Sequence, residues 1–281
     1  MKKSFIISVL AVVCLASCQK NIQIAVPDGP QEIVLAVGGD DIEMGVDTKA
    51  TAITALPSTL YWEGTSGTWK SETAKWGSTS ASVSSGKIST GKYQTASATA
   101  YNYYLSNCAI TFASGGSTIS ASNTTDVIAG CTTSATSSTA PSVTLNHVFA
   151  RTGTLTCNTQ SGYSISGVSW KIASKSGGTG GTAGTYNIAT KGWSGVTALS
   201  STAITSSSDM YLTPGVYTIT VTYTLTLGDY SATFTKSGDV TLIAGSVNSI
   251  TCTAIGGAAS AITISVTLTD WGSNSLTLSL S

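Results

Sequence analysis

Alternation of apolar and polar residues is the dominant pattern along this chain. In the last stretch, Ile262, Ile264, Val266 and Leu268 alternate with Thr263, Ser265, Thr267 and Thr269, the period-two signature of a half-buried strand. Gly272, Ser273 and Asn274 interrupt it, and Leu276, Leu278 and Leu280 resume it up to Ser281. Upstream, Tyr217, Ile219, Val221, Tyr223, Leu225 and Leu227 alternate with threonines; Gly228-Asp229 offers a two-residue hairpin turn, and Tyr230, Ala232 and Phe234 return. Val240–Ile243, a turn at Ala244-Gly245-Ser246, and Ile250, Cys252 and Ala254 predict the next pair. Val143, Leu145, His147 and Phe149 alternate along one strand, and Glu32–Val37 predicts a short first strand with Ile33, Leu35 and Val37 on one face. A helical period is sustained nowhere outside the amino-terminal apolar segment. The expected fold is all-β, with sandwich geometry as the natural outcome.

The first half is less regular. Leu60-Tyr61-Trp62, Trp69 and Trp76 are separated by Gly and Ser, while Ala98–Leu105 and Ala109–Ala113 predict an antiparallel pair. Aromatics beside turns serve either as caps on a sandwich core or as a sugar-stacking platform. Residues Ser134–Ala140 are Ser, Thr and Ala only, closed by Pro141, and are the best linker candidate. The expected domains are therefore 50–140 and 141–281, preceded by residues 18–49 as tether and first strand.

Residues 1–17 carry Lys2 and Lys3, an apolar run from Phe5 to Val13, and small residues before Cys18, which reads as a secretory leader too short to span a membrane. Leu15-Ala16-Ser17-Cys18 resembles a bacterial lipobox. That resemblance implies diacylglycerol on the Cys18 sulfur, cleavage before Cys18, and acylation of the new amino terminus, palmitate being the expected kind of chain. Loss of residues 1–17 leaves eleven basic against thirteen acidic residues, about −2, with one histidine and only 9% charged residues. Such a surface is not built to neutralise phosphates, so nucleic acid is not an expected partner. Ser, Thr, Gly and β-branched residues dominate instead, which suits sheets with uncharged polar faces. Cys108, Cys131, Cys157 and Cys252 fit neither a zinc ribbon nor a Cys-x-x-Cys pair. They are either buried thiols or disulfides. If bridged, the pairs expected within each half are Cys108 with Cys131 and Cys157 with Cys252.

Chemistry of the enzymatic kind has no constellation here. His147 is the only histidine and sits in an alternating strand, where a satisfied core imidazole is expected. No nucleophile elbow, phosphate-cradling loop or ligand cluster occurs, and Asp40, Asp41 and Glu43 read as a solvated charge run rather than a calcium loop. The expectation is no enzyme, no cofactor and no metal. Between Cys18 and Lys70 the only basic residues are Lys20 and Lys49. A trypsin-like protease could therefore separate the first strand from the remainder at one place, between Lys49 and Ala50, unless Lys49 is simply solvated. The tail carrying Leu276, Leu278 and Leu280 is either the closing strand of its own sandwich or a segment outside that fold, given to another molecule.

In order along the chain, the lipobox, TKAT at 48–51, TTDVIAG at 124–130, SVTLNHVFAR at 142–151, YLTPGVYTITVTYTL at 211–225, VTLIAGSVNSI at 240–250 and ITISVTLTDW at 262–271 resemble the fimbrillin family. Those proteins are lipoprotein precursors of the type V pili of gut and oral anaerobic bacteria. The resemblance implies two tandem transthyretin-like β-sandwiches, release of the first strand by a trypsin-like protease, and polymerisation by strand donation. It implies an outer-membrane precursor that becomes part of a surface fimbrium, with other pilus subunits as partners and adhesion as the role. Ile33, Leu35 and Val37 would be the strip removed, and Leu276, Leu278 and Leu280 the strip that replaces it in the next subunit. A position in the shaft or at the tip is expected rather than an anchor, with Lys49 favouring the shaft. Two departures are a lysine where the family often has arginine, and a short chain. The competing reading is a monomeric lipid-anchored adhesin that binds host or bacterial surface glycan through its tryptophans.

Overall fold

The structure is a computed structural model. It describes residues 31–38, 59–63, 69–73, 75–76, 86–94, 101–113, 116–135, 142–205, 210–254, 262–270 and 275–279. These form strands joined by turns, with no helix among them, so the fold is all-β. In chain order the strands of the first half are β1 (Gln31–Gly38), β2 (Thr59–Glu63), β3 (Trp69–Thr73), β4 (Lys75–Trp76), β5 (Gly86–Gln94), β6 (Tyr101–Ser106), β7 (Thr111–Ala113), β8 (Gly116–Ser122), β9 (Ile128–Ala135), β10 (Ser142–Thr144) and β11 (Asn146–His147). The second half continues with β12 (Ala150–Thr159), β13 (Ser164–Ser174), β14 (Ala183–Asn187), β15 (Gly192–Thr197), β16 (Thr202–Ile204) and β17 (Tyr211–Leu212). It ends with β18 (Gly215–Leu227), β19 (Tyr230–Leu242), β20 (Ser246–Ala254), β21 (Ile262–Asp270) and β22 (Ser275–Ser279).

The carboxy-terminal half follows the alternation most closely. Tyr217, Ile219, Val221, Tyr223 and Leu225 of β18 all point inward and are buried. They meet Trp170 and Ile172 from β13 and Val240 and Leu242 from β19, in the sheet ordered β16-β13-β18-β19. Across the same core stand Leu155, Leu212, Ile250, Cys252 and Val266 from the sheet ordered β17-β12-β20-β21-β22. Two sheets thus share one interior. The outward positions explain the uncharged composition. Thr220–Ser237, Thr222–Thr235 and Thr224–Thr233 pair hydroxyl to hydroxyl across β18 and β19 at 2.8–2.9 Å, so that face satisfies its polar groups without charge. Gly228, at φ +58°, takes the first central position of the β18–β19 turn, the place a type II′ turn gives to glycine.

The first half breaks the alternation for a physical reason. In β6, Tyr103, Tyr104, Leu105 and Ser106 are all buried, because the sheet ordered β11-β9-β6-β2-β3 is covered on both faces. Leu60, Trp62, Tyr103, Leu105 and Ile128 occupy one face. Tyr104 and Ala129 occupy the other, in a core with Ile119, Phe149, Tyr186 and Ile188. That second core is roofed by the sheet ordered β15-β14-β8-β7, in which β8 from the first half pairs antiparallel with β14 from the second, Ser122 opposite Ala183 through Thr118 opposite Asn187. The two halves are joined by a continuous ladder as well as by the chain. Residues 142–147, beyond the expected linker, still pair with first-half strands: β10 with β1 and β11 with β9.

Candidate functional site

The region built around β1 is the best candidate. This strand is internal to its sheet, whose order is β10-β1-β5-β4. On one side it runs parallel to β10, with Val37 opposite Val143; on the other it runs antiparallel to β5, with Leu35 opposite Ile88 and Val37 opposite Gly86. Val143, its parallel partner, is fully buried. The register shifts between Glu32 and Val34, so Ile33 falls at an irregularity in the β5 ladder while Leu35 and Val37 sit in its regular part. Parallel neighbours need a long crossover, and here the whole of the first half lies between β1 and β10. Removing β1 would therefore leave two strand edges facing each other with their N–H and C=O groups unpaired, a slot the width of one strand.

Lys49 and Ala50 fall between β1 and β2 in sequence and lie outside the described residues, as does Cys18. The tail is placed in part: β22 pairs antiparallel with β21 at the edge of the carboxy-terminal sheet, Leu276 opposite Leu268 and Leu278 opposite Val266, while Leu280 lies outside the described residues. In this chain the tail thus belongs to its own sheet. It has one hydrogen-bonded neighbour, where β1 has two.

The other sequence candidates separate clearly. Trp62 is inside the first-half core, edge-on to Tyr101 with centroids 5.5 Å apart. Trp69 and Trp76 fall on strands of different sheets, so backbone pairing does not assemble the three tryptophans into one platform. His147 Nδ1 lies 2.8 Å from Asp126 Oδ2, and Asn107 Nδ2 donates to the Asp126 backbone carbonyl at 2.8 Å. The imidazole is thus satisfied at the junction of the halves. Among the described residues no group of three His, Cys, Asp or Glu is arranged to hold a metal ion. A cleft of about 300 Å³ lies beside β10, lined by Gly130, Cys131, Ser142, Thr144, Tyr186 and Lys191 among others. Burial raises the Cys131 thiol and pushes the Tyr186 phenol up to about 12, so both are neutral there at ordinary pH.

Among the described residues, Cys108, Cys131, Cys157 and Cys252 are all thiols. Cys108 follows β6 beside Asp126, whereas Cys131 stands opposite Tyr104. Cys108 lies in the bend beyond the end of β6, outside the ladder that holds Cys131, so no strand register sets the two opposite each other. Cys157 and Cys252 instead face each other directly across the parallel strands β12 and β20.

Two buried polar residues escaped the sequence reading. Asn248, fully buried, donates through Nδ2 to Ser246 O (2.8 Å) and Arg151 O (3.1 Å), and its Oδ1 accepts from Ile243 N–H (3.1 Å). It fastens β12 to β20. Tyr217 O–H donates to Thr213 O at 2.7 Å with Gly181 O 3.1 Å away, pinning β18 to the corner four residues upstream. A Cβ on Gly180 would stand 2.5 Å from the Tyr217 ring, so the chain there approaches as only glycine allows. The signal available was an isolated Asn and a Tyr after Thr-Pro-Gly, each of which reads as ordinary strand.

No protein-family model matches this sequence, and no curated protein matches it. Solved structures do. A candidate cell adhesion protein from Parabacteroides distasonis aligns with 88% of this chain and 99% of its own at 12% identity, with a TM-score of 0.54. A second from the same species covers 87% of this chain and 100% of its own at 11% identity and a TM-score of 0.50. A fimbrilin from Porphyromonas gingivalis covers 86% of this chain and 98% of its own at 10% identity, with a lower TM-score of 0.39. At these identities the likeness is one of fold.

Proposed function

We propose that this protein is a structural subunit of a cell-surface pilus, assembled by strand donation after its first strand is cut away. The observation that carries this reading is the position of β1: interior to its sheet, paired on both sides, yet tied to β2 through a stretch whose only basic residue is Lys49. Cleavage between Lys49 and Ala50 makes β1 a bound peptide rather than part of the chain. Once it leaves, β5 and β10 present unsatisfied edges, and a strand from another subunit is the partner that satisfies them. The ordered motifs shared with fimbrillins point the same way, and the two P. distasonis neighbours with this fold are themselves candidates for cell adhesion.

The tail is the donor. Leu276, Leu278 and Leu280 repeat at the spacing of Ile33, Leu35 and Val37, and β22, at a sheet edge, has a single ladder to give up. Burying three such side chains contributes about 1.5–3 kcal/mol each before ordering costs. The precursor is held at the outer membrane through acylated Cys18 until a trypsin-like protease releases it, and its partners are further pilus subunits along the shaft. Its role is constructional rather than enzymatic. Trp62 is a core residue in this reading, not a glycan contact. Surface-extracted protein, run without heating on a denaturing gel, should give a ladder that collapses on boiling, and amino-terminal sequencing of the ladder should begin at Ala50. A single monomer band retaining residues before Lys49 contradicts the proposal.

A further inference from the structure

We propose that Cys157 and Cys252 are a dithiol–disulfide pair that closes a covalent staple across the carboxy-terminal sandwich, formed by exchange with an external disulfide while that sandwich folds. The pair is set by register. On parallel strands β12 and β20, Leu155 stands opposite Ile250, Thr156 opposite Thr251 and Cys157 opposite Cys252. Neighbouring strands lie about 4.8 Å apart, inside the range of Cα separations that disulfides span. The side chains share one environment as well, since Cys252 is fully buried in the core and Cys157 is half-buried against it. No other cysteine belongs to that core. Cys108 and Cys131 pack instead against the other core, and no ladder sets them opposite each other.

The step balances as thiol–disulfide exchange. The Cys157 thiolate attacks one sulfur of a small external disulfide, forming a mixed disulfide and expelling the first small thiolate. The Cys252 thiolate then attacks the Cys157 sulfur, forming the protein disulfide and expelling the second. Two electrons pass from the cysteine pair to the external disulfide, and the two thiol protons end on the two expelled thiolates. Timing follows from burial, which raises both thiols above their ordinary pKa in the folded sandwich, Cys252 further through the charge of Cys157. Neutral buried thiols exchange slowly, so the bridge forms before the core closes and is shielded afterwards. It ties a loop of about 95 residues, long enough for a large effect on the unfolded chain.

The inference does not depend on pilus assembly, because refolding supplies the oxidant directly. The full chain is reduced, unfolded, refolded in a mixture of reduced and oxidised glutathione, alkylated and mapped by mass. The expected product links the peptides bearing residues 157 and 252, with Cys108 and Cys131 alkylated, and unfolds about 10 °C above the reduced protein. Cys157→Ala should unfold at one temperature with or without reductant. The Cys108→Ala, Cys131→Ala double variant should keep the full reductant-dependent shift. Refolded wild type with Cys108, Cys131, Cys157 and Cys252 all alkylated, or a bridge from Cys157 or Cys252 to any cysteine outside that pair, overturns the assignment and needs no variant to fold.

Discussion

The first and last strands carry the same apolar spacing, and the structure gives them opposite places. β1 lies between β10 and β5, and β22 hangs from β21 alone at a sheet edge. A strand with neighbours on both sides cannot leave without opening the sheet, whereas an edge strand leaves by breaking a single ladder. Two similar stripes thus differ in what their departure costs, a difference that would give the proposed assembly a direction. In the proposed assembly, the strand whose loss creates the slot is made separable by a cut, and the strand that fills it is held by one ladder from the outset.

Breaking the comparison at β1 should have the largest effect. Deleting residues 31–38 removes Ile33, Leu35 and Val37 along with Val34, Ala36 and both ladders of β1; burial of the three-residue stripe alone would be worth about 5–9 kcal/mol, comparable to the whole stability of a domain. The expected result is aggregated protein or a first half without cooperative unfolding. Deleting 275–281 should leave a soluble monomer melting only about 5 °C lower, with no ladders after cleavage. Equal damage from the two deletions in thermal melts would remove the asymmetry.

Asn248→Ala should come next, at about 3 kcal/mol, since it strips partners from the buried Arg151 and Ser246 carbonyls and the Ile243 N–H. It loosens β12 against β20, on which β21 and β22 hang, so hydrogen exchange should quicken in the carboxy-terminal sheet and stay unchanged in β1. Faster exchange in β1 would mean that the two regions are not separate.

Leu278→Asp sharpens the comparison further. Its position lies opposite Val266 in the chain's own sheet, so the monomer should lose about 1–2 kcal/mol by urea titration while the ladders expected of the proposed polymer vanish. A substitution that unfolds the monomer outright would make β22 a closing strand, unfit for donation.

Tyr217→Phe should have the smallest effect, about 1 kcal/mol at neutral pH, and a pH signature. Burial pushes the Tyr217 phenol up to about 12, opposed by its bonds to Thr213 and Gly181. The unfolded chain ionises near pH 10 and the folded one does not, so its stabilising contribution is complete below pH 10 and is lost as pH rises towards 12. Melts between pH 10 and 12 should decline less steeply in Tyr217→Phe than in wild type.

The alternation made the all-β fold legible, and the β18–β19 hairpin with its Gly228-Asp229 turn could be read residue by residue. Pairing between distant strands could not. Ala183–Asn187 has one large apolar residue, Tyr186, and nothing local marks it as the partner of Gly116–Ser122, so the ladder joining the halves was invisible. The run Tyr103-Tyr104-Leu105 lacks alternation because both faces of its sheet are covered, a tertiary fact. The matching stripes at 33–37 and 276–280 were visible, but interior and edge are properties of a sheet, and a stripe looks the same in either place. Cys157 and Cys252 were expected to pair only because they fall in the same half; the parallel register that sets them opposite each other was not legible.

The most direct test follows amide hydrogen exchange in β5 and β10, the strands flanking β1, through three states. In the uncleaved chain, Gly86–Gln94 and Ser142–Thr144 should be protected by their pairing with β1. After cleavage at Lys49, in protein lacking residues 275–281, the same amides should exchange rapidly. In polymer made from the intact tail they should be protected again. Amides that stay protected after cleavage, or stay exposed in the polymer, would contradict the claim that one strand leaves this slot and another takes its place.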